Sequence, residues 1–235
     1  MMDGSPLHAA DGLAAASPRR VVLFDFDGVL MRGDAYSRFV LARLLRSAWR
    51  LPVALAAMPL LLPLAVFRSL RPAVAETLVR ISLLGVRTTR YRELARAFAG
   101  ELVQRPRIFI RDGIGAMRRH VAAGDRVVIV TGCEETLVRA IFDAIGLHGI
   151  ECIASQLQDG RLGMRKKVHN IGSQKPRQLA GHGIAEPWAI AYSDSSRDIP
   201  MLERAGEPVL VNADAGTRQR VERALGRPVA RVDWF

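Results

Sequence analysis

The distribution of apolar residues divides the chain into two kinds of segment. Short apolar runs that end in a polar residue or a glycine are typical of buried parallel strands. They lie at residues 21–24, 126–132, 151–157, 188–192 and 208–211. Asp159-Gly160 is a hairpin-turn signal that precedes a further predicted strand at 161–166. Segments with apolar residues at helical spacing lie at 36–50, 74–82, 91–102, 108–122, 134–145, 174–180 and 217–225. Because strands alternate with helices, the pattern predicts an α/β fold with a parallel sheet.

The first strand runs directly into two acidic residues. Asp25 and Asp27 are separated by Phe26 and are followed by Gly28, which can adopt a positive φ and turn the chain. Both carboxylates can therefore converge at the carboxyl end of the strand, where open α/β sheets bind ligands. Two close like charges favour a bound cation, and oxygen ligands suit Mg²⁺. The alternative is a strand end with two solvated acids.

Further polar residues follow the other predicted strands. Thr131 and Gly132 end the second strand, Lys175 begins a helix, and Asp194 and Asp198 follow the strand at 188–192. Phosphoryl transfer needs a nucleophile, a general acid/base, and donors and cations around the phosphoryl oxygens. Taken singly these residues are weak indicators, since Thr131 could be a helix cap and Lys175 a solvated surface residue. As an ordered set they favour a phosphate-handling site.

Residues 51–67 form an uncharged run between Arg50 and Arg68. The run is shorter than the ~20 apolar residues of a membrane-spanning helix. Pro52, Pro59 and Pro63 are predicted to break any straight helix within it. Two interpretations remain open, a buried pair of core helices and an interfacial or re-entrant membrane element. We favour the second, with Trp49 and the flanking arginines at headgroup level.

Composition adds three expectations. The chain has 235 residues, 49% of them hydrophobic, and a net charge of +11, which would attract it to anionic lipid surfaces or phosphorylated substrates. Aromatic and basic residues are not interleaved, so nucleic acid is not an expected partner. Residues 1–18 are expected to be a disordered tail without a signal peptide. Cys133 and Cys152 are expected to be buried thiols.

The ordered set resembles the four motifs of the haloacid dehalogenase superfamily. These are DxDG from Asp25, the strand ending in Thr131-Gly132, a helix that carries Lys175, and the SDxxxD pattern around Asp194 and Asp198. The resemblance implies a Rossmann-like core, 19–34 and 110–235, with an inserted all-helical C1-type cap at 35–109. That cap places the sequence nearest the phosphoserine-phosphatase-like branch, subfamily IB. An aspartate at position 27 is typical of the phosphatase branches and disfavours dehalogenation.

The resemblance also implies a role for each site residue. It makes Asp25 the nucleophile of an aspartyl-phosphate mechanism and Asp27 the general acid/base. Mg²⁺ is the implied cofactor, with Asp25, the main-chain carbonyl of Asp27, and Asp194 as ligands. The phosphate-binding residues implied are Thr131, Gly132 and Lys175, with Asp198 fixing Lys175 or a metal-bound water.

A further resemblance, to the phosphatidylglycerophosphatase C group, rests on the apolar cap segment 51–67, on Ile153-Ala154-Ser155-Gln156 and on Tyr192-Ser193-Asp194-Ser195. The expected substrate is then phosphatidylglycerol phosphate, and the expected location is the cytoplasmic side of the bacterial inner membrane, peripheral or re-entrant. The alternative is a soluble cytoplasmic phosphatase for a small metabolite such as phosphoserine, which needs no apolar cap. A third alternative is a basic membrane- or partner-binding module with an inactive site, which would have no need of the catalytic set. The sequence leaves the oligomeric state open.

Overall fold

We describe the fold from a computed structural model of the chain, which describes residues 19–67 and 69–235. The predicted tail at 1–18 lies outside these residues. The strands run at Val21–Phe24 (β1), Arg126–Glu134 (β2), Glu151–Gly160 (β3), Gly163–Val168 (β4), Trp188–Ser193 (β5), Ala205–Val211 (β6) and Ala230–Val232 (β7). The helices run at Ala35–Leu45 (α1), Arg50–Val66 (α2), Arg71–Leu83 (α3), Thr88–Val103 (α4), Arg111–Ala122 (α5), Glu135–Ala144 (α6), Gln174–Gly181 (α7), Ile199–Leu202 (α8) and Ala215–Leu225 (α9).

The strands form one twisted α/β sheet in the order β4-β3-β2-β1-β5-β6-β7. Neighbouring strands pair in parallel except β3 and β4, which form an antiparallel hairpin. Strand β1 is central, between β2 and β5. The predicted α/β fold with a Rossmann-like parallel sheet is therefore confirmed.

Successive residues of β1 contribute to hydrophobic cores on opposite faces of the sheet. Val22 and Phe24 pack into the core that includes α5, α6 and the helices of the insert. Leu23 packs into the core that includes α7, α8 and α9. This alternation follows from the two-residue period of a strand, and it explains why β1 is continuously apolar. The acidic residues after β1 therefore emerge between two rigid layers.

Helices α1 to α4 follow β1 and precede the rest of the sheet, as the prediction of an inserted cap requires. The Phe39 ring of α1 packs edge-on against the rings of Tyr91 and Phe98 of α4, with centroids 5.6 and 5.4 Å apart. Helix α4 in turn packs against α6 of the core. The cap is thereby joined to the core beside the carboxyl ends of β1 and β2.

The prediction that prolines break the apolar run is wrong, because α2 is one helix from Arg50 to Val66. Pro52 lies in its first turn, where the backbone N–H groups need no helical partner. Pro59 and Pro63 lie one turn apart and are both exposed. The carbonyl groups that lose a helical hydrogen bond therefore lie on the outer side of α2, not in a packed interior.

The buried-core interpretation of 51–67 is also wrong. Within α2 only Ala54 and Leu61 are buried. Exposed apolar side chains cover most of the remaining circumference, with Leu60 at 72% and Leu62 at 62% exposure. Within the described residues no single helix is long and apolar enough to cross a membrane, and α1 and α2 meet that test only as a pair bent by 111°.

The largest difference from a predicted helix boundary lies in the cap. The helix predicted at 36–50 ends at Leu45, because a break separates α1 from α2. The turn predicted at Asp159-Gly160 lies two residues later, since Gly160 pairs with Gly163 in the hairpin. Gly163 has φ +136°, and a Cβ there would collide with the carbonyl of Leu83, so only glycine allows the hairpin to pass this close to the cap.

Candidate active site

Asp25 and Asp27 lie where the chain leaves the central strand. The Asp25 carboxylate accepts a hydrogen bond from the backbone N–H of Phe26 at 2.8 Å. The Asp27 carboxylate accepts one from the N–H of Ala35 at 2.9 Å, in the first turn of α1. The turn is made by Gly28, whose φ is +78°. Asp27 is thus oriented by the helix that begins the cap.

Asp194, which follows β5, lies against this turn. A Cβ on Gly28 would collide with the Asp194 carboxylate, so glycine is required at 28 for space as well as for its backbone angle. The carboxylates of Asp27 and Asp194 are close enough for the charge of Asp194 to act on Asp27. The structure therefore brings acidic residues from the ends of β1 and β5 together.

Lys175 is buried in this acidic crevice rather than solvated. Its side chain is 2% exposed, and its Nζ lies 2.7 Å from Asp198 Oδ2 and 3.1 Å from Asp25 Oδ2. The position at the start of α7 directs the ammonium group toward the carboxyl ends of β1 and β5. Asp198 therefore fixes Lys175 beside Asp25, one of the two alternatives that the sequence left open for it.

Thr131 is fully buried within β2 and does not cap a helix. Its Oγ1 accepts a hydrogen bond from the N–H of Cys133 at 3.0 Å. The helix cap is instead Glu134, which accepts from the N–H of Leu137 at 3.0 Å. The Thr131 hydroxyl keeps its own proton for donation, as a phosphate-binding role requires.

Three residues that sequence reasoning did not assign support these groups. The hydroxyl of Ser155 donates to the carbonyl of Gly132 at 2.7 Å and accepts from the N–H of Asn170 at 2.9 Å. The hydroxyl of Ser193 donates to Asp198 Oδ2 at 2.7 Å. Ser193 lies directly before Asp194, so its position in the SDxxxD pattern was the available signal. Ser155 lies in the segment 153–156, on which the finer resemblance partly rests, whereas Asn170 gave no signal in the sequence.

The carboxyl groups in the crevice have raised pKa values. Burial raises the pKa of Asp25 well above its usual value, although the charge of Lys175 acts in the opposite direction. Burial also raises the pKa of Asp27 to about 7 and that of Asp194 to about 6. Burial alone would lower the pKa of Lys175, but the carboxylates of Asp198 and Asp25 raise it. Further positive charge would return the acids to their ionised forms.

The donor set fits a small hard cation. Across residues 19–67 and 69–235, no three His, Cys, Asp or Glu side chains form a metal cluster. A Mg²⁺ ion needs fewer, because it accepts main-chain carbonyl oxygens and retains several waters. The carboxylates of Asp25 and Asp194 with the carbonyl of Asp27 are oxygen donors of this kind. Lys175 is already committed to Asp198 and Asp25.

The two cysteines are not candidate nucleophiles. Cys133 and Cys152 are buried free thiols, as predicted. Burial raises the pKa of both, so neither is a thiolate at neutral pH. Arg197 is exposed.

Comparisons with known sequences identify the family. Residues 22–203 match the haloacid dehalogenase-like hydrolases. A probable phosphatase from Mycobacterium tuberculosis is 31% identical over 124 residues, which are 48% of this chain and 43% of the relative. A phosphoserine phosphatase from the same organism is 33% identical over 104 residues, 42% of this chain and 34% of the relative. The chain thus covers less than half the length of these relatives.

Comparisons with solved structures support the fold. A protein of unknown function from Bordetella pertussis superposes with a TM-score of 0.68 at 24% identity, covering 90% of this chain and 98% of the other. A phospho-aspartyl intermediate analogue of phosphoserine phosphatase superposes with a TM-score of 0.55 at 15% identity, covering 92% and 95%. The family match spans the DxDG turn, the Thr131 strand, Lys175 and the SDxxxD loop. The chain therefore belongs to the haloacid dehalogenase-like hydrolase family.

Proposed function

We propose that this protein is a Mg²⁺-dependent phosphomonoesterase that forms an aspartyl-phosphate on Asp25. The observation that carries the proposal is the position of Asp25 at the end of β1, with Lys175 Nζ 3.1 Å from its carboxylate. Asp27, two residues later, has a pKa raised to about 7, which suits a general acid/base near neutral pH. Nucleophile, proton carrier and cation are thus within one crevice.

The reaction follows from these positions. The Asp25 carboxylate attacks phosphorus, the ester P–O bond breaks, and Asp27 donates its proton to the leaving alkoxide. Asp27 then takes a proton from water, whose oxygen attacks phosphorus, so that phosphate leaves and Asp25 is regenerated. Thr131 and Lys175 supply donors and positive charge to the phosphoryl oxygens. Bound Mg²⁺ would neutralise charge on the phosphoryl group.

The substrate that we propose is an anionic lipid phosphate, with phosphatidylglycerol phosphate as the first choice. The support is an apolar surface on the cap, formed by ten exposed side chains of α1, α2 and the segments that flank α2. Exposed apolar patches of this kind mark sites that contact membranes or partners. We call this surface the apolar cap face. Its exposed members are Leu41, Leu45, Trp49, Val53, Leu55, Leu60, Leu62, Val66, Phe67 and Leu70. Because the cap adjoins the catalytic crevice, this face would bring acyl chains near Asp25, at the cytoplasmic face of the bacterial inner membrane.

The arginines around the apolar cap face contribute less to this proposal than expected. Each has a partner within the protein: Arg46 with Glu101, Arg50 with the Leu84 carbonyl, and Arg71 with the Ala65 carbonyl. Arg68 lies outside the described residues. Exposed apolar area at ~25 cal/mol per Å² is therefore the main expected source of membrane affinity.

The runner-up is a soluble phosphatase for phosphoserine or a similar metabolite. It is favoured by the relative from Mycobacterium tuberculosis that is named a phosphoserine phosphatase. The two proposals share the chemistry at Asp25 and differ in what the cap does. Phosphate release from a panel of lipid and soluble monoesters separates them. A preference for phosphoserine over phosphatidylglycerol phosphate would favour the soluble alternative.

Replacing Leu60 and Leu62 by serine is expected to reduce binding to anionic vesicles and to spare hydrolysis of a small phosphate ester. Both side chains are exposed, whereas their neighbour Leu61 is buried and should be left intact. The measurement is flotation with phosphatidylglycerol vesicles. The matched control is Val121→Ser with Leu162→Ser, two exposed apolar residues outside the apolar cap face. Equal flotation of both double variants would contradict the membrane proposal.

Mg²⁺ is expected to raise the melting temperature more at pH 8 than at pH 5. Burial raises the pKa of Asp27 from 3.8 to about 7 and that of Asp194 from 3.8 to about 6, so the metal-free protein loses stability as the pH rises from 3.8 through these values. At pH 8 the ionised acids gain most from a cation. Thermal unfolding with Mg²⁺ and with EDTA measures the difference, and Asp194→Ala should abolish it. A pH-independent shift would argue against this site.

A further inference from the structure

The cap and the core enclose a second group of polar side chains next to the catalytic aspartates. It consists of Tyr36 on α1, Tyr91 on α4 and Glu134 at the end of β2. Tyr91 is 1% exposed and Glu134 is 4% exposed. The hydroxyl groups of Tyr36 and Tyr91 are both buried. The Tyr36 hydroxyl has no hydrogen-bond partner in the described parts of the chain, and the Tyr91 hydroxyl faces the carboxylate of Glu134.

Two members of this group lie close in the chain to residues that form or contact the proposed catalytic site. Tyr36 directly follows Ala35, whose N–H binds the Asp27 carboxylate. Glu134 lies two residues after Gly132, in the strand that carries Thr131. The group therefore borders both the proton donor to the leaving oxygen and the strand that we assign to the phosphate. A substituent on the leaving alcohol is the part of a substrate that would reach it.

The chemistry of the group indicates a hydrogen-bonding ligand without a negative charge. Burial and the charge of Glu134 raise the pKa of both tyrosines, so their hydroxyls remain protonated and neutral. The other ionisable groups that act on them are Cys133 on both, Asp34 on Tyr36, and Tyr36 on Tyr91, and none of these is a cation. A carboxylate on the substrate would therefore meet acidic groups here. A buried hydroxyl without a partner, such as that of Tyr36, is unfavourable until a ligand or water satisfies it.

We propose that Tyr36, Tyr91 and Glu134 bind a hydroxyl group of the leaving alcohol, so that the enzyme selects phosphate monoesters of polyols such as glycerol. The inference rests on the proposed function and identifies the part of the substrate that the cap would bind. A ligand hydroxyl can accept from Tyr36 and donate to the Tyr91 oxygen or to the Glu134 carboxylate, which would satisfy the Tyr36 hydroxyl. The glycerol headgroup of a lipid phosphate and free glycerol phosphate share this chemistry.

The test compares glycerol 1-phosphate with n-propyl phosphate, which lacks the hydroxyls. Wild-type protein should prefer glycerol 1-phosphate, and Tyr36→Phe or Tyr91→Phe should each lower kcat/KM for it by about tenfold. Neither change should alter kcat/KM for n-propyl phosphate. The matched control is Tyr192→Phe, the remaining tyrosine of the chain. Its hydroxyl lies 3.2 Å from His120 Nε2. This variant should leave the ratio between the two substrates unchanged.

Further substrates identify the ligand class. Phosphatidylglycerol phosphate should lose the same factor as glycerol 1-phosphate in the phenylalanine variants, whereas phosphoserine should be a poor substrate throughout. If the protein instead prefers phosphoethanolamine, and Glu134→Gln abolishes that preference, the group binds an ammonium group rather than a hydroxyl. That result would overturn the proposal. Glutamine retains an oxygen for the Leu137 N–H, so the start of α6 should survive.

A binding measurement separates this proposal from the proposed function. In the Asp25→Asn background, glycerol 1-phosphate should raise the melting temperature more than n-propyl phosphate, and Tyr91→Phe should remove that difference. If the phenylalanine variants leave both the kinetic ratio and this difference unchanged while turnover still requires Asp25, the hydroxyl pocket is wrong and the phosphatase stands. If neither ester is hydrolysed nor bound, both proposals fail.

Discussion

Asp25→Asn is expected to lower phosphate release by roughly 10⁴-fold or more while the fold remains intact. Asparagine has the shape of aspartate, and its amide oxygen can still accept from Lys175 Nζ, which lies 3.1 Å from the native carboxylate. The amide cannot form the phosphoryl bond, because it lacks the charge of a carboxylate nucleophile. The measurement is phosphate release at saturating Mg²⁺, with circular dichroism to check the fold.

Two further variants locate this effect at the nucleophile. Asp27→Asn should lower turnover by ~10²–10⁴-fold, the usual contribution of a general acid/base. Asp143→Asn changes an acid whose side chain is 71% exposed and should leave turnover unchanged. Wild-type turnover in Asp25→Asn would rule out the covalent mechanism.

Lys175→Met is expected to lower the free energy of unfolding by roughly 3–5 kcal/mol and to abolish activity. The substitution removes the ammonium group that separates Asp25 from Asp198, and it leaves their carboxylates buried without a cation. The loss should be smaller at pH 5 than at pH 8, because burial raises the pKa of Asp25 and a protonated carboxyl needs no partner. Urea unfolding at the two pH values measures both effects.

Lys166→Met is the matched control for this substitution. Lys166 pairs with Glu76 at 3.2 Å, but its side chain is 51% exposed. Solvent screens such a pair, so the expected loss is below ~1 kcal/mol. If Lys175→Met were as mild as Lys166→Met, the buried ion pairs would not be what organises the crevice.

The positions of the acidic residues in the crevice could be predicted from the sequence, because each depends on a short local segment. The apolar run of β1 ends at Asp25 whatever the rest of the chain does, and Gly28 is required by its own backbone angle. Parallel pairing of β1 with β5 then brings Asp194 to the same edge of the sheet as Asp25, since each residue follows one of these two strands. Local pattern and sheet topology together suffice to place these residues.

The cap could not be predicted as well, because its conformation depends on what each side chain faces. Pro59 and Pro63 read as helix breakers, yet both lie on the exposed side of α2, where a missing hydrogen bond has little effect on packing. Tyr36 and Tyr91 begin segments with helical spacing, and that spacing gives no sign of a role for their hydroxyl groups. That their hydroxyls lie beside Glu134 depends on how α1 and α4 dock on the core, which no local pattern encodes.

The central claim is that Asp25 carries the phosphoryl group during turnover. The most direct measurement is mass spectrometry of peptides from protein that is acid-quenched during steady-state hydrolysis of glycerol 1-phosphate, with Asp25→Asn treated in parallel. The account predicts one phosphoryl group on Asp25 in the wild type and none in the variant. Phosphoryl transfer to another residue, or turnover with Asp25 unmodified throughout, would contradict it.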